Sequence, residues 1–251
     1  MGLTQKQKVL GIIPARIAST RLPKKMLADI DGKTLIRRTY ERSLNAGALD
    51  AIVVATDSEE IEAEVKSFGG NVVRSTAECE NGTVRAHNAV SLFADFTPDV
   101  VAIIWGDEPL YPAEVIDSCV NLFLENDTFD AVTAAFKIHD VQMVVSDSVG
   151  KVVTDKNNKM LYLSRSPVPY NFTHASVDYY HSSGVMVMSC DFLAKYSAMH
   201  QTPLELIEGV EQLRILENGY SLGVVKSDSE NVGVNTQDDY NRVVRMYKEM
   251  K

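Results

Sequence analysis

Arg16, Arg21, Lys24 and Lys25 fall within ten residues, in the run IIPARIASTRLPKK at positions 12–25. The chain around them carries a formal net charge of -9, so this basic loop stands out against its background. Guanidinium and ammonium groups form charge-assisted hydrogen bonds to phosphate oxygens. Small neighbours, Ala15, Ala18, Ser19 and Thr20, let the backbone approach a ligand and donate its N–H groups. A polyphosphate suits both features; a solvated basic surface loop is the alternative. A second group lies in IIWGDEPL, residues 103–110, where an apolar run ends in Gly106-Asp107-Glu108-Pro109. Asp107 is a candidate Mg2+ ligand, because Mg2+ takes oxygen donors and commonly binds one or two carboxylates beside substrate phosphates. Asp107 could instead be a turn or N-cap acid ahead of a helix near Pro112. Phosphate chemistry needs a cationic loop and a metal-holding acid together, and the chain offers both.

The elements that must position these residues can be read from periodicity. Residues 9–13, 51–55, 71–74 and 100–105 are short apolar or β-branched runs expected to be strands. Between and after them, residues 33–46, 59–68, 83–93 and 112–124 carry helical spacing, with Gly69-Gly70 as a stop and Pro112 as a start. Alternating strands and helices predict an α/β fold with a mostly parallel sheet covered on both faces. Ligands of such folds bind at the carboxyl ends of the strands. Arg16, Thr56-Asp57 and Gly106-Asp107-Glu108 all follow apolar runs and are expected there. The pattern changes near residue 130. Residues 131–138 read as a strand, and residues 151–154 and 160–163 flank Asp155-Lys156-Asn157-Asn158 as a hairpin. A loop with Pro167 and Pro169 follows, then a strand over 184–188, a helix over 204–216, a strand over 221–226 and a closing helix over 236–247. This half reads as a small antiparallel extension on the same core, so one domain is expected over 1–251.

Bulk composition narrows the function classes. The length of 251 residues, with 45% hydrophobic and 24% charged residues, suits a globular chain with a sizeable core. A pI near 5.1 argues against a nucleic-acid partner. No apolar run reaches the roughly 20 residues of a membrane span. The start, MGLTQKQKVLGII, lacks a signal-peptide pattern, and Lys6 stands where myristoylation of Gly2 needs Ser or Thr. Cys79, Cys119 and Cys190 form neither a disulfide framework nor a zinc site, which suits a cytoplasmic protein.

The motifs also resemble a known family, the CMP-Kdo synthetases, which activate 3-deoxy-manno-octulosonate (Kdo) with CTP. Its Pro-Ala-Arg…Ser-Thr-Arg-Leu-Pro-x-Lys loop matches Pro14 to Lys25, followed by Gly32-Lys33, Val54 to Asp57 and Phe68 to Gly70. Further on come Gly82-Thr83-x-Arg85, Gly106 to Pro109, Ser164-Arg165 with Pro169, and the stretch from Pro203 to Arg214. Each match alone is weak, and their shared order and spacing are specific. The resemblance implies a Rossmann-like nucleotidyltransferase fold, with residues 1–128 mainly binding CTP and 129–251 binding acceptor and forming a homodimer. It implies that Arg16, Ser19, Arg21 and Lys25 hold the triphosphate, and that Pro14, Ala15 and Gly82 also belong to the CTP site. Ala55, Thr56, Asp57, Thr83 and Arg85 would surround the ribose and cytosine. Asp107, with the residue at 235, would hold Mg2+, and Arg16, Lys25 and Asp107 would carry catalysis. Trp105, Arg165, Ser183, Glu211 and Gln212 would face the acidic sugar, in an enzyme supplying surface polysaccharide synthesis. Read without the resemblance, Asp57 could be a helix N-cap, and Arg85 and Glu211 solvated helix residues. His87 reads as a surface or packing residue, which leaves no evident general base.

Four positions depart from the family pattern. Lys24 replaces Gly, Trp105 replaces Gln, Asn235 replaces the Asp of a closing Val-Asp-Thr, and Ser182-Ser183-Gly184-Val185 replaces His-x-Gly-Ile, with His181 one place away. Asn235 weakens the expected second metal ligand, for which Lys24 could compensate at the phosphates. Trp105 and the missing His bear on the acceptor. Two alternatives therefore stand beside the Kdo enzyme: a nucleotidyltransferase for another small anionic acceptor, and a catalytically weak nucleotide-binding homologue.

Overall fold

The computed structural model describes residues 6–19, 21–75 and 78–250. Thr20 of the basic loop and residues 1–5, on which the leader and myristoylation expectations bear, lie outside these. In chain order the elements are β1 (Val9–Ala15), a 3-10 turn (Lys25–Leu27), β2 (Asp29–Ile30), β3 (Lys33–Thr34), α1 (Leu35–Ser43), β4 (Ala51–Thr56), α2 (Glu59–Ser67) and β5 (Val72–Arg74). Then come α3 (Gly82–Leu92), β6 (Val100–Ile104), α4 (Ala113–Glu125), β7 (Ala131–Lys137), α5 (Val141–Val145), β8 (Lys151–Thr154) and β9 (Met160–Ser164). The chain closes with β10 (Tyr180–Ser189), α6 (Cys190–Ala198), α7 (Pro203–Glu208), α8 (Gln212–Glu217), β11 (Leu222–Ser227) and α9 (Gln237–Glu249).

The main sheet runs β11-β7-β10-β6-β1-β4-β5. Strands β6, β1, β4 and β5 pair in parallel, as do β7 and β11. Strand β10 is inserted antiparallel between β6 and β7 and also carries the β8–β9 hairpin at its start. The result is the expected mostly parallel α/β sheet with a small antiparallel extension. Both faces are buried, so β1 and β6 are apolar throughout instead of alternating with polar residues. Val9 and Ile13 of β1, with Ala102 and Ile104 of β6, pack under α1, α2, α4 and α9. Leu10 and Ile12, with Val101 and Ile103, pack under α3, α6 and α8. Each such Val, Leu or Ile side chain contributes about 1.5–3 kcal/mol on leaving water.

Side-chain caps fix where the helices begin. Thr34, Ser58, Asn81, Ser189 and Thr236 each accept a first-turn N–H, and Thr236 with Asp239 forms a reciprocal capping box. The helix expected over 33–46 starts at Leu35, because Lys33 and Thr34 pair with Ile30 and Asp29 in a two-stranded hairpin. The turn there uses Asp31 and Gly32, both at positive φ. The single helix expected over 204–216 is two. Gly209, at φ 63°, ends α7 in the left-handed conformation and α8 restarts at Gln212. Strand β10 begins at Tyr180, ahead of the expected 184, and α5 and α6 were not anticipated.

Candidate active site

A cleft of about 640 Å3 opens beyond the carboxyl ends of β1 and β6. Its phosphate side holds Pro14, Ala15, Arg16, Ser19, Arg21 and Lys25, among them all four residues expected to hold a triphosphate. The Lys25 ammonium lies 2.7 Å from Asp107 Oδ2, with both side chains mostly buried. The turn carrying Asp107 is tightly seated: a Cβ on Gly106 would stand 3.1 Å from the Pro14 carbonyl oxygen. The Thr39 hydroxyl donates to the Gly106 carbonyl at 2.9 Å, which fixes the same turn from α1. Lys24 does not join this group. Its backbone is left-handed, at φ 51°, and its ammonium pairs with Glu60 on α2 at 2.6 Å. The idea that Lys24 compensates for Asn235 at the phosphates is thereby corrected: Lys24 turns to α2 and is absent from the cleft lining.

Asn235 also lines the cleft. The Val234 N–H donates to the Asp107 carbonyl at 2.8 Å, so the start of α9 is fastened to the Asp107 turn. One carboxylate and one amide oxygen are thus brought to the phosphate side. Among the described residues no cluster of three or more His, Cys, Asp or Glu suited to a metal occurs. A donor set this small suits Mg2+, which fills its remaining positions with water and phosphate.

On the nucleoside side Gly82 and Arg85 line the cleft. Arg85 is nearly buried on α3 and donates from Nη2 to Asp57 Oδ2 at 2.7 Å. Its Nη1 is buried with no hydrogen-bond partner in the protein. Leaving such a donor unmade costs about 1–3 kcal/mol, which favours an acceptor atom from a bound ligand. Ser58, not Asp57, caps α2, which frees Asp57 for Arg85. Ala55, Thr56 and Thr83 are fully buried behind this wall and do not line the cleft. The Thr83 N–H donates to Glu211 Oε2 at 3.4 Å.

Trp105, Arg165, Ser183, Glu211 and Gln212 all line the opposite end. Ser183 Oγ donates to Glu108 Oε1 at 2.6 Å, and Asn231 Nδ2 donates to Ser183 Oγ and to Glu108 Oε2. Burial, and secondarily the Asp107 charge, push the Glu108 carboxyl up to about 7. Burial likewise raises the Glu211 carboxyl above the usual carboxylate range. Arg165 spends much of its donor capacity on main chain: Nε reaches the Glu208 carbonyl at 2.6 Å and Nη1 the Asp147 carbonyl at 2.7 Å. Lys151 ties the same wall, donating to the carbonyls of Ser146, Val149 and Arg165. His181 faces the core against Phe136, and burial pulls its imidazole down to about 4. Sequence reasoning gave no site role to Glu80, Asn81, Glu108, Leu206 and Val210, all of which line the cleft, although Glu108 was expected at this strand end. Glu108 carried a signal, its place within the Gly106–Pro109 match; Leu206 and Val210 carried none beyond lying between Pro203 and Arg214.

A cationic loop, an acid held against it, and an arginine awaiting an acceptor, at the carboxyl ends of parallel strands, are the parts of a nucleotide-handling site. Comparison with known proteins agrees. The profile of the cytidylyltransferase family matches residues 10–227. A 3-deoxy-manno-octulosonate cytidylyltransferase of Fusobacterium nucleatum is 39% identical over 242 residues, covering 96% of this chain and 98% of that one. Its counterpart from Chlamydia trachomatis is 40% identical, covering 94% and 92%. Among solved structures, CMP:2-keto-3-deoxy-manno-octonic acid synthetase complexed with CTP superposes with a TM-score of 0.89 at 28% identity, covering 97% of this chain and all of that one. A 4-diphosphocytidyl-2C-methyl-D-erythritol synthase from Anaerococcus prevotii, at 15% identity and TM-score 0.63, shares the fold. The chain belongs to the cytidylyltransferases, CTP-dependent nucleotidyltransferases. Within them its family is that of the CMP-Kdo synthetases.

Proposed function

We propose that this protein transfers CMP from CTP to Kdo and releases pyrophosphate. The observation that carries this reading is the Lys25–Asp107 pair, which joins the cationic loop to the acid turn within one cleft. A sugar hydroxyl oxygen attacks the α-phosphorus and gives up its proton to solvent, the α–β phosphoanhydride bond breaks, and pyrophosphate departs. Arg16, Arg21 and Lys25 neutralise the charge that grows on the leaving group, and preorganised cations of this kind act most strongly where water is excluded. Lys25, already oriented by Asp107, exchanges part of that contact for phosphate oxygens. Arg85 Nη1 supplies a donor to the nucleoside, and Ser183, Gln212 and Glu211 meet the acceptor's hydroxyls. Holding both substrates in one cleft supplies the proximity on which such a transfer depends. Asp107, with Asn235 as a neutral second donor, would hold Mg2+, which supplies charge neutralisation on the phosphates.

Residues 1–128 are assigned mainly to CTP, and residues 129–251 to the acceptor and to pairing of two copies. A cytoplasmic homodimer supplying surface polysaccharide synthesis completes the proposal; no helix among the described residues is long and apolar enough to cross a membrane. A second reading, transfer to a different acidic sugar, is favoured by Trp105 and Ser182 at positions where the family carries Gln and His. Pyrophosphate release from CTP and Mg2+ with Kdo and a panel of related sugar acids tests both. Turnover with Kdo supports the first; turnover only with another acid replaces it by the second, and CTP binding without turnover on any acid contradicts both.

A further inference from the structure

Arg214 is completely buried, and each nitrogen of its guanidinium has an acceptor. Nε and Nη2 grip the two carboxylate oxygens of Glu205 on α7, at 2.7 and 2.6 Å. Nη1 donates to the Met199 carbonyl at 3.2 Å. Nη2 also reaches Glu80 Oε2 at 2.9 Å, in the turn before α3. Glu205 alone neutralises the buried cation, so burial gives no reason for a second carboxylate. Glu80 is half-exposed, and its approach has a geometric consequence instead: it joins the turn at 80–83 to the helix pair at 203–217. Two further ties cross the same gap. The guanidinium lies over the Tyr196 ring, whose hydroxyl donates to the Glu211 carbonyl at 3.2 Å and accepts from Asn81 Nδ2 at 3.1 Å. Asn81 Oδ1 in turn caps α3, and Glu211 Oε2 accepts the Thr83 N–H.

We propose that Arg214 is a positioning residue that makes the turn entering α3 and the α7–α8 pair a single unit, with Glu80 as the link between them. The naming of the two sides as nucleotide and acceptor rests on the function proposed above; the ties themselves do not. Gly82 and Arg85 lie just beyond one end of the unit, and Glu211 and Gln212 at the other. Ordering of one end by its substrate therefore orders the other, and coupling of this kind is reciprocal in the binding equilibria. The planar fork of arginine is needed, because an ammonium cannot address Glu205 in bidentate fashion while reaching Glu80 and Met199.

Glu80→Gln in the full chain tests this, since a half-exposed side chain can change without emptying the core. Hydrogen exchange of the ligand-free protein is read at the amides of Val84 and Arg85, which bond to Asn81, and of Leu213 and Arg214, which bond to the carbonyls of Val210 and Glu211. The unit predicts faster exchange at both ends by a similar factor, about three- to tenfold, as expected for losing one charge-assisted bond of a half-exposed pair. Acceleration confined to residues 80–85, or none, overturns it. In turnover, Glu80→Gln raises the KM of the sugar acid along with that of CTP while kcat falls less, and Glu80→Asp restores part of the effect. An unchanged acceptor KM overturns the proposal. In an Arg214→Lys background Glu80→Gln adds nothing further, whereas fully multiplicative effects count against the link. Should Arg214→Lys fail to fold, the two Glu80 variants decide alone. Should no sugar acid be turned over, the proposed function falls while the exchange measurement still decides the tie.

Discussion

Asp107 meets two demands that pull in opposite directions. It orients the Lys25 ammonium at 2.7 Å, and it offers a charged oxygen donor to a cation in the cleft that the amide of Asn235 also lines. Lys25→Met is expected to lower kcat/KM for CTP by about 100- to 1,000-fold, the usual cost of removing one preorganised donor to developing charge. Initial rates of pyrophosphate release check this; a loss below tenfold would remove Lys25 from the phosphate cradle. Asn235→Asp adds a carboxylate where an amide stands and is expected to lower the Mg2+ concentration for half-maximal rate severalfold. An unchanged or higher midpoint would show that residue 235 contributes no metal contact. His181 makes a pH prediction. Its folded value is about 4 against an ordinary 6.5, so the unfolded chain takes up the proton first as pH falls. The stabilising contribution is present above pH 6.5 and lost down to about pH 4, to a total of about 3 kcal/mol. Urea unfolding at pH 7 and pH 4.5 should show a flatter pH dependence for His181→Phe than for the parent chain; parallel profiles would contradict the assignment.

At the scale of elements, legibility followed locality. The strands at 9–13, 51–55 and 100–105 and the 155–158 turn were readable because apolar runs and turn residues act over a few positions. The start of α6 was hidden because it follows β10 with no Gly or Pro between them: Ser189 ends the strand and caps the helix at once. The break at Gly209 was visible as a glycine, but the helical spacing on either side of it continues and masked the interruption. Gly184 had a meaning that only packing reveals. It sits at φ 86° at the irregularity of β10, and a Cβ there would fall 1.5 Å from the Tyr111 ring. Gly184→Ala is expected to cost at least about 2 kcal/mol of stability and to displace Ser183 from Glu108; near-parental unfolding would show that Tyr111 has room to move. Lys24 is the converse case, a side chain at left-handed φ where the family carries glycine. Lys24→Gly should stabilise the chain by about 0.5–1 kcal/mol, net of the exposed Glu60 pair, and a lower melting temperature would contradict this.

Across the whole molecule, residues far apart in sequence meet in one cleft, and this is where reading the chain alone reached its limit. The family resemblance brought Arg16, Asp107, Arg165 and Glu211 to one site, and the cleft lining contains all of them. Composition and periodicity could not have paired Arg85 with Asp57, Thr83 with Glu211, or Arg214 with Glu80, because those contacts arise only once α3, α6 and α8 share a face of the sheet. Since ligand binding there spans the strands of the parallel half, saturation with CTP and Mg2+ should stabilise the entire fold. At a hundredfold excess over Kd the linkage gain is about 2.7 kcal/mol, or a rise in Tm of roughly 5–10 °C for a domain of this size. A thermal scan showing no shift would argue against the nucleotide site.

The measurement that bears most directly on the central claim is 31P NMR of CTP, Mg2+ and Kdo incubated with the protein. Cleavage between the α- and β-phosphorus predicts that the three CTP resonances give way to one phosphodiester signal of CMP-Kdo and one of free pyrophosphate with twice its intensity, because pyrophosphate carries two equivalent phosphorus atoms. The appearance of CDP and inorganic phosphate, or an unchanged CTP spectrum with Kdo and the enzyme present, would contradict it.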